Sequence, residues 1–163
     1  MRVGITGHQT LEGDDVWDWV GIELCKEVHK LGLPIMGVTL LAPGVDQLFA
    51  TVILGCGGNL QVIVPFYGYR KVLSEKEQLA YDNLMAAASQ VISLEGLESD
   101  DASYMQAGMQ LVDSVELLLA VWDGLPAQGL GGTADVFHYA EYCRLPIVHL
   151  NPVSQQIHRI SGA

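Results

Sequence analysis

The feature that most constrains the fold of this chain is a regular alternation of short apolar runs with longer amphipathic segments. The runs have the length and composition of buried strands, and the segments between them repeat apolar residues at helical spacing. The clearest helix is expected at 14–31, where Val16, Val20, Leu24 and Val28 share one face. The alternation predicts a repeated β-α unit.

This pattern predicts about six strands and the helices that connect them. The strands are expected at 3–6, 35–41, 60–65, 91–94, 115–122 and 146–150. The helices are expected at 14–31, 45–54, 74–89, 101–113 and 133–143. Ser74 and Glu77 have the spacing of a capping box at the start of the third helix. The tail after Pro152 is left unassigned.

Strands that are separated by helices of roughly ten or more residues pair in parallel through right-handed crossovers. The chain has 163 residues, half of them hydrophobic, which is enough for one substantial core but short for two domains. We therefore expect a single domain over residues 1–163. Its fold class is α/β, a three-layer sandwich with a mostly parallel sheet of about six strands.

The charge balance of the chain is strongly acidic. It carries 19 Asp and Glu against 8 Lys and Arg, for a net charge of -11. Such a charge repels phosphate backbones and provides no basic stripe for counterion release, so we expect no nucleic-acid partner. Charged residues make up 17% of the chain, below the roughly 25% of typical soluble domains. Part of the surface is therefore expected to be covered in a homo-oligomer.

The apolar runs, cysteines and histidines bear on the cellular location of the protein and on metal binding. No apolar run reaches the roughly 18 residues that span a bilayer, and no charged leader with an apolar segment opens the chain. Cys25, Cys56 and Cys143 are odd in number and lack a C-x-x-C spacing, which favours reduced thiols. The histidines show no metal-ligand spacing. We expect a cytoplasmic protein without a membrane partner, a metal or a cofactor.

Ligands of parallel α/β sheets bind beyond the carboxyl ends of the strands, which directs attention to the loops there. The loop after the first strand lacks the dinucleotide and P-loop patterns. Its Gly7 either lets a ligand approach the backbone, with His8 at the crevice, or simply makes the turn. After the second strand, Gly44 precedes Asp46. Asp46 either stabilises the following helix or accepts hydrogen bonds from a ligand hydroxyl or base amine.

The third and fifth strands are followed by further candidates. Arg70 belongs to the adjacent basic pair of the chain and is either an anion clamp or a solvated surface residue. Trp122 and Asp123 end the longest apolar strand. The indole either stacks on a base or packs in the core, and the carboxylate suits a ribose or a base amine.

The most informative stretch is the glycine-rich loop before the fifth helix. Gly129, Gly131 and Gly132 free the backbone to turn its N–H groups inward, and Thr133 is expected to cap the helix. With the positive end of the helix dipole, these residues predict an anion site that needs no basic side chain. Asp135 in the first turn repels phosphate and suits a ribose hydroxyl instead. The alternative is a flexible loop before a capped helix.

Several of these motifs together resemble the SLOG superfamily. They are G-I-T-G-H near residue 4, P-G-V-D near 43, V-P-F-Y near 64, the helix with Tyr104 and Gly108, and A-V-W-D-G-x-P-A-x-G-x-G-G-T-A-D at 120–135. The superfamily groups the Rossmann-like LOG nucleotide hydrolases with domains like those of DNA-processing proteins and with nucleotide sensors. The resemblance implies a Rossmann-like fold, a nucleotide or nucleotide-derived ligand, and a place for Tyr104 and Gly108 beside the ligand crevice.

LOG enzymes release the base from nucleoside 5′-monophosphates and carry a G-G-x-G-T-x-x-E signature with a catalytic Glu. In this chain the residue three beyond Thr133 is Val136. Cleavage of the N-glycosidic bond needs a carboxylate near the ribose, so Asp135 or Asp46 would have to be the catalytic residue. We therefore favour a nucleotide-binding or sensing protein. The alternatives are a phosphoribohydrolase and an interaction protein with a vestigial site.

Overall fold

A computed structural model describes residues 1–127 and 129–162. Gln128, in the glycine-rich loop, lies outside the described residues. In chain order the elements are β1 (Arg2–Gly7), α1 (Asp14–Leu31), β2 (Met36–Thr39), α2 (Val45–Gly55), β3 (Asn59–Val64), α3 (Glu75–Ala87), β4 (Gln90–Ser93), α4 (Asp100–Asp113), β5 (Leu117–Val121), α5 (Thr133–Tyr142), β6 (Ile147–Asn151) and β7 (Gln156–Ile160). A short 3₁₀ helix, Tyr69–Val72, lies between β3 and α3.

The strands form one seven-stranded sheet in the order β4-β3-β2-β1-β5-β6-β7. Strands β1 to β6 are parallel, and β7 pairs antiparallel with β6. The predicted fold class, a three-layer α/β sandwich with a mostly parallel sheet, is confirmed. The chain winds outward from β1 to one edge and from β5 to the other. Strands β1 and β5 therefore flank the topological switch point, where a crevice opens in such sheets.

Strand β5 shows how the sheet is buried on both faces. All of its residues are buried. Leu117, Leu119 and Val121 belong to the core cluster that contains α1 and α2 residues. Leu118 and Ala120 belong to the cluster that contains α4 and α5 residues. A strand that is covered on both sides needs a continuous apolar run, which is why this strand is the most readable in the sequence.

Local sequence signals place several element ends correctly. The predicted bounds of α1, 14–31, coincide with the observed helix. The capping box at α3 is confirmed, since the Glu77 N–H donates to Ser74 Oγ at 3.3 Å and the Ser74 N–H donates to Glu77 Oε2 at 2.8 Å. Strand β7 was not predicted because none of its residues is fully buried. An edge strand of this kind lacks the apolar run of the central strands. None of the helices in the described ranges could cross a membrane.

A partly buried ion pair fixes β7 to the rest of the molecule. Glu27 of α1 is 4% exposed. It accepts hydrogen bonds from both terminal nitrogens of Arg159 in β7, at 3.0 and 2.7 Å, and from Lys30 at 2.7 Å. The Arg159 guanidinium holds the pKa of Glu27 below its ordinary value although burial opposes this. The pair therefore joins the antiparallel edge strand to the first helix.

We expect Glu27→Gln to lower the free energy of unfolding at neutral pH by on the order of 1–3 kcal/mol, because it weakens charge-assisted hydrogen bonds. The folded-state pKa of Glu27 lies below its ordinary value of 4.5. The advantage of the wild type is therefore complete above about pH 4.5 and shrinks as the pH falls through the folded-state value. Urea unfolding of both proteins between pH 3 and 7 measures this difference.

Glu23→Gln is the matched control for that experiment. Glu23 pairs with Lys26 at 2.7 Å within the same helix. A pair of this kind contributes about 0.2–0.5 kcal/mol. Equal losses of stability in the two variants would contradict the assignment of Glu27 as the anchor of β7.

Candidate functional site

A cavity of about 1080 Å³ opens beyond the carboxyl ends of β1 and β5. It lies where the strand order places the switch point. Most of the predicted site residues line it, namely Gly7, His8, Asp46, Tyr104, Gly108, Trp122, Asp123, Gly129, Gly131, Gly132 and Thr133. Gly44, Arg70 and Asp135 are not among its lining residues. We refer to this cavity as the crevice.

Gly7 and Gly44 are required by the packing of two loops. A Cβ on Gly7 would lie 2.5 Å from Val45 Cγ1. Gly44 has a φ of +91°, and a Cβ there would collide with the carbonyl oxygen of Gln9. The Val45 N–H donates to the carbonyl of His8 at 3.2 Å. Both glycines therefore let the start of α2 approach the loop after β1.

His8 joins the two sides of the switch point. Its Nε2 accepts the N–H of Asp123 at 3.2 Å and lies 3.5 Å from Asp123 Oδ1. Accepting this bond requires Nε2 to be unprotonated. The Asp123 carboxylate also accepts the N–H of Leu125 at 2.9 Å. His8 and Asp123 thus form a polar bridge between the loops after β1 and β5, on the wall of the crevice.

Asp46 is a buried carboxyl at the bottom of the crevice. It is 6% exposed. Its Oδ2 accepts hydrogen bonds from the Thr39 hydroxyl at 3.2 Å and the Ala42 N–H at 3.4 Å. Burial raises the pKa of Asp46 to about 7, although these hydrogen bonds oppose the rise. A carboxyl with this pKa exchanges protons near neutral pH, as ligand-binding and acid-base groups do.

Tyr69 is a crevice residue that sequence reasoning missed. It is 3% exposed and begins the 3₁₀ helix after β3. Its ring packs against those of Phe66, Tyr81 and Tyr104 at centroid distances of 5.8, 5.8 and 6.1 Å. Burial, with a smaller effect of the Asp46 charge, raises the pKa of Tyr69 above its ordinary value. The signal for it was the aromatic concentration at 66–69, which the adjacent basic pair overshadowed.

Arg70 does not reach the crevice. Its guanidinium donates two hydrogen bonds to the carboxylate of Asp82, both at 2.7 Å, with both side chains about half exposed. This places it in the solvated-surface alternative. The residues described as lining the crevice include no Lys or Arg, whereas five of them are acidic: Glu12, Asp15, Asp46, Asp101 and Asp123. An anion bound there would have to be held by backbone N–H groups.

The glycine-rich loop delivers such groups at the start of α5. Gly132 is the N-cap and Thr133 is the first helical residue, so Thr133 is not the cap that the sequence predicts. Because Gly132 has no side chain, it offers the first N–H groups of the helix no acceptor. Asp135 Oδ2 accepts the N–H of Gly131 at 2.9 Å. The carboxylate of Asp135 therefore stabilises the loop.

Gly131 allows this loop to lie against α4. Its φ is +84°, and a Cβ there would lie 2.6 Å from the backbone nitrogen of Met105 and 2.8 Å from Tyr104 Cβ. Gly108, one turn further along α4, is in similar contact with α5, since a Cβ would lie 2.6 Å from Val136 Cγ2. These glycines set the distance between the two helices that border the crevice.

Trp122 adopts the packed alternative. Its side chain is 8% exposed, and its ring lies 4.7 Å from that of Phe137. The indole N–H donates to the carbonyl of Leu125 at 2.8 Å, so its hydrogen-bonding capacity is used within the loop. In the described parts of the chain, no cluster of three or more His, Cys, Asp or Glu has the arrangement of a metal site.

Comparison with known proteins relates this fold to solved structures. DNA processing protein A (DprA) from Streptococcus pneumoniae matches with a TM-score of 0.68 and 12% identity over 92% of this chain. DprA from Helicobacter pylori matches with a TM-score of 0.66 and 16% identity over 99% of this chain. TM1055, a structural genomics target, matches with a TM-score of 0.57 and 14% identity over 90% of this chain. No family model and no curated protein sequence matches the chain.

This chain covers different fractions of the three neighbouring chains. This chain spans half of the S. pneumoniae DprA chain, 69% of the H. pylori one and 71% of TM1055. At these identities the likeness is one of fold. It confirms the Rossmann-like α/β fold that the sequence motifs imply.

The expectation that nucleic acid is not a partner is wrong. It rests on net charge, and the H. pylori structure of the same fold is described by its single-stranded DNA binding mode. Net charge averages over the whole surface, whereas phosphate groups are bound locally. A helix N-terminus and glycine N–H groups bind phosphate without basic side chains. The acidic total therefore does not exclude this class of partner.

We expect Asp46→Asn to stabilise the protein increasingly as the pH rises from about 4 to about 7. The pKa of Asp46 is raised from 3.8 to about 7 in the folded protein. The contribution of the Asp46 carboxyl to the free energy of unfolding is therefore complete below about pH 4. It is lost by about 1.4 kcal/mol per pH unit as the pH rises to about 7, and the loss then levels off. The difference in the free energy of unfolding between the two proteins, measured in urea from pH 4 to 8, tests this.

Asp82→Asn serves as the control because Arg70 lowers the pKa of Asp82. Since the folded-state pKa of Asp82 lies below 3.8, the difference of this variant from the wild type stays nearly constant above about pH 5 and shrinks only towards more acidic pH. A difference for Asp46→Asn that is constant from pH 4 to 8 would show that Asp46 ionises as freely in the folded chain as in the unfolded one.

Proposed function

We propose that the crevice binds a nucleotide or nucleotide derivative, with a phosphate at the N-terminus of α5. One observation carries this proposal: an α5 N-terminus whose N-cap, Gly132, has no side chain lies on the crevice at the β1–β5 switch point. Free N–H groups and the positive end of the helix dipole bind anions together. Thr133 and Ala134, the first residues of the helix, both line the crevice.

The rest of the crevice favours a ligand that is larger than an anion. Its volume of about 1080 Å³ is at the upper end of typical small-molecule sites. The carboxylates that line it accept hydrogen bonds and donate none when ionised. Asp46 and Asp123 therefore suit ribose hydroxyls and base N–H groups. A nucleotide combines these donors with a phosphate.

The sequence resemblance and the fold support the same ligand class. The SLOG superfamily includes nucleotide hydrolases and nucleotide sensors, and the fold match agrees with membership. The H. pylori neighbour binds single-stranded DNA, which is a chain of nucleotides. A short single-stranded oligonucleotide therefore belongs among the ligands tested, beside free nucleotides.

Hydrolysis of the N-glycosidic bond remains a second proposal because Asp46 lies in the crevice. It is a buried carboxyl with a pKa of about 7, which suits proton transfer at neutral pH. Asp135, the other predicted catalytic residue, holds the N–H of Gly131 instead. Release of free base would thus depend on Asp46.

Proton NMR of the protein with nucleoside monophosphates, cyclic nucleotides, nucleosides and a single-stranded oligonucleotide tests these proposals. We expect saturation transfer to the phosphate-bearing ligands, with affinities at least about fivefold higher than those of the matching nucleosides. New free-base resonances would identify the hydrolase.

Thr133→Pro tests the phosphate position directly. Proline fits the first position of a helix but has no N–H. We expect it to weaken phosphate-bearing ligands about fivefold or more and to leave nucleosides unchanged. Thr133→Ala, which keeps the N–H and loses the hydroxyl, is the matched control. Equal effects of the two substitutions, or no binding of any ligand by the wild type, would refute the assignment.

A further inference from the structure

The hydroxyl of Tyr69 is one polar group that the crevice can offer to a ligand. The hydroxyl of Tyr69 makes no hydrogen bond with any residue that the structure describes, although the residue is 3% exposed. Over the same residues, no buried side-chain nitrogen or oxygen is left without a partner. The hydroxyl is therefore not sealed in the core, and Tyr69 lines the crevice. A hydroxyl that is open to the crevice and binds no protein group is available to a ligand, to which it can donate or from which it can accept a hydrogen bond.

Asp46 lines the same crevice as Tyr69. Leu41 belongs to the same core cluster as Tyr69, and the next residue, Ala42, donates its N–H to Asp46, so the two groups belong to neighbouring parts of the crevice wall.

The Thr39 hydroxyl and the Ala42 N–H donate to Oδ2 of Asp46, and a hydrogen bond from the Leu40 backbone also lowers the pKa of this carboxyl. A carboxylate has about four acceptor positions, so it can accept a further hydrogen bond from a ligand. A carboxylate on α2 and a phenol hydroxyl on the 3₁₀ helix after β3 thus both line the crevice.

We propose that Tyr69 and Asp46 form the base-recognition end of the crevice, and that they bind a nucleobase edge on which an N–H donor adjoins an acceptor. This inference rests on the proposed nucleotide-binding function. The carboxylate accepts the N–H, and the phenol donates to the neighbouring ring nitrogen or carbonyl. The ring of Tyr104, which also lines the crevice, offers an apolar surface to the base.

Tyr81 provides an internal comparison. It is 4% exposed and lies in the same aromatic cluster, with its ring 5.8 Å from that of Tyr69. It is not among the residues that line the crevice. Tyr69→Phe and Tyr81→Phe each remove one hydroxyl and keep the ring, so both preserve the packing of the cluster.

The experiment measures the dissociation constants of the four common nucleoside 5′-monophosphates and of ribose 5-phosphate for the wild type and both variants. The ratio of the ribose 5-phosphate constant to that of the best monophosphate gives the contribution of the base. We expect Tyr69→Phe to reduce this ratio about fivefold, as the loss of one hydrogen bond predicts. Affinity for ribose 5-phosphate and the results for Tyr81→Phe are expected to match the wild type.

The outcomes separate this inference from the function on which it rests. If the wild type binds ribose 5-phosphate as tightly as every monophosphate, or if both phenylalanine variants keep the full ratio, base recognition by Tyr69 is overturned while the phosphate site stands. If the two variants lose the ratio equally, the effect belongs to the cluster and the proposal is also overturned. If no phosphate-bearing ligand binds, the proposed function fails first.

Discussion

The site depends on one steric constraint, the close contact between the loops that follow β1 and β2. Neither Gly7 nor Gly44 has space for a Cβ, because the first turn of α2 and the backbone of Gln9 occupy those positions. This contact brings Asp46, near the start of α2, beneath the loop that carries His8. The strand order accounts for the position of the crevice. After β1 and after β5 the chain continues towards opposite edges of the sheet, so the crevice opens between these two strands.

The electrostatics of the crevice follow from the absence of Lys and Arg among the residues that are described as lining it. Five acidic residues and no Lys or Arg are described as lining it, so backbone N–H groups are its fixed positive charges. Those groups are concentrated where α5 begins, after a glycine N-cap. Carboxylates lie close to this loop as well, since Asp135 accepts the N–H of Gly131. A ligand that carries both a phosphate and N–H or hydroxyl donors matches this mixture of groups. Net charge, which is a sum over the whole chain, contains no information about such a local arrangement, and this is why the inference from -11 failed.

The parts of the structure that the sequence predicts are those set by local patterns. The bounds of α1 and the capping box of Ser74 and Glu77 depend on residues within a few positions of each other. The burial of β5 is indicated by its continuous apolar run. The edge strand β7 instead needs β6 and the Arg159–Glu27 pair, which joins residues far apart in sequence. Likewise, the position of Arg70 is decided by Asp82 on α3, which no loop motif reveals.

The same distinction separates residues that contribute to the framework from residues that remain available to a ligand. Asp135 and Arg70 both look like ligand contacts in the sequence, yet each has a partner in the protein, Gly131 and Asp82 respectively. Tyr69 looks like a core aromatic, yet its hydroxyl has no partner in the described chain. A polar group that borders a cavity and binds no protein group is a better indicator of binding than its residue type. Sequence motifs report residue types, and pairing appears only in the folded chain.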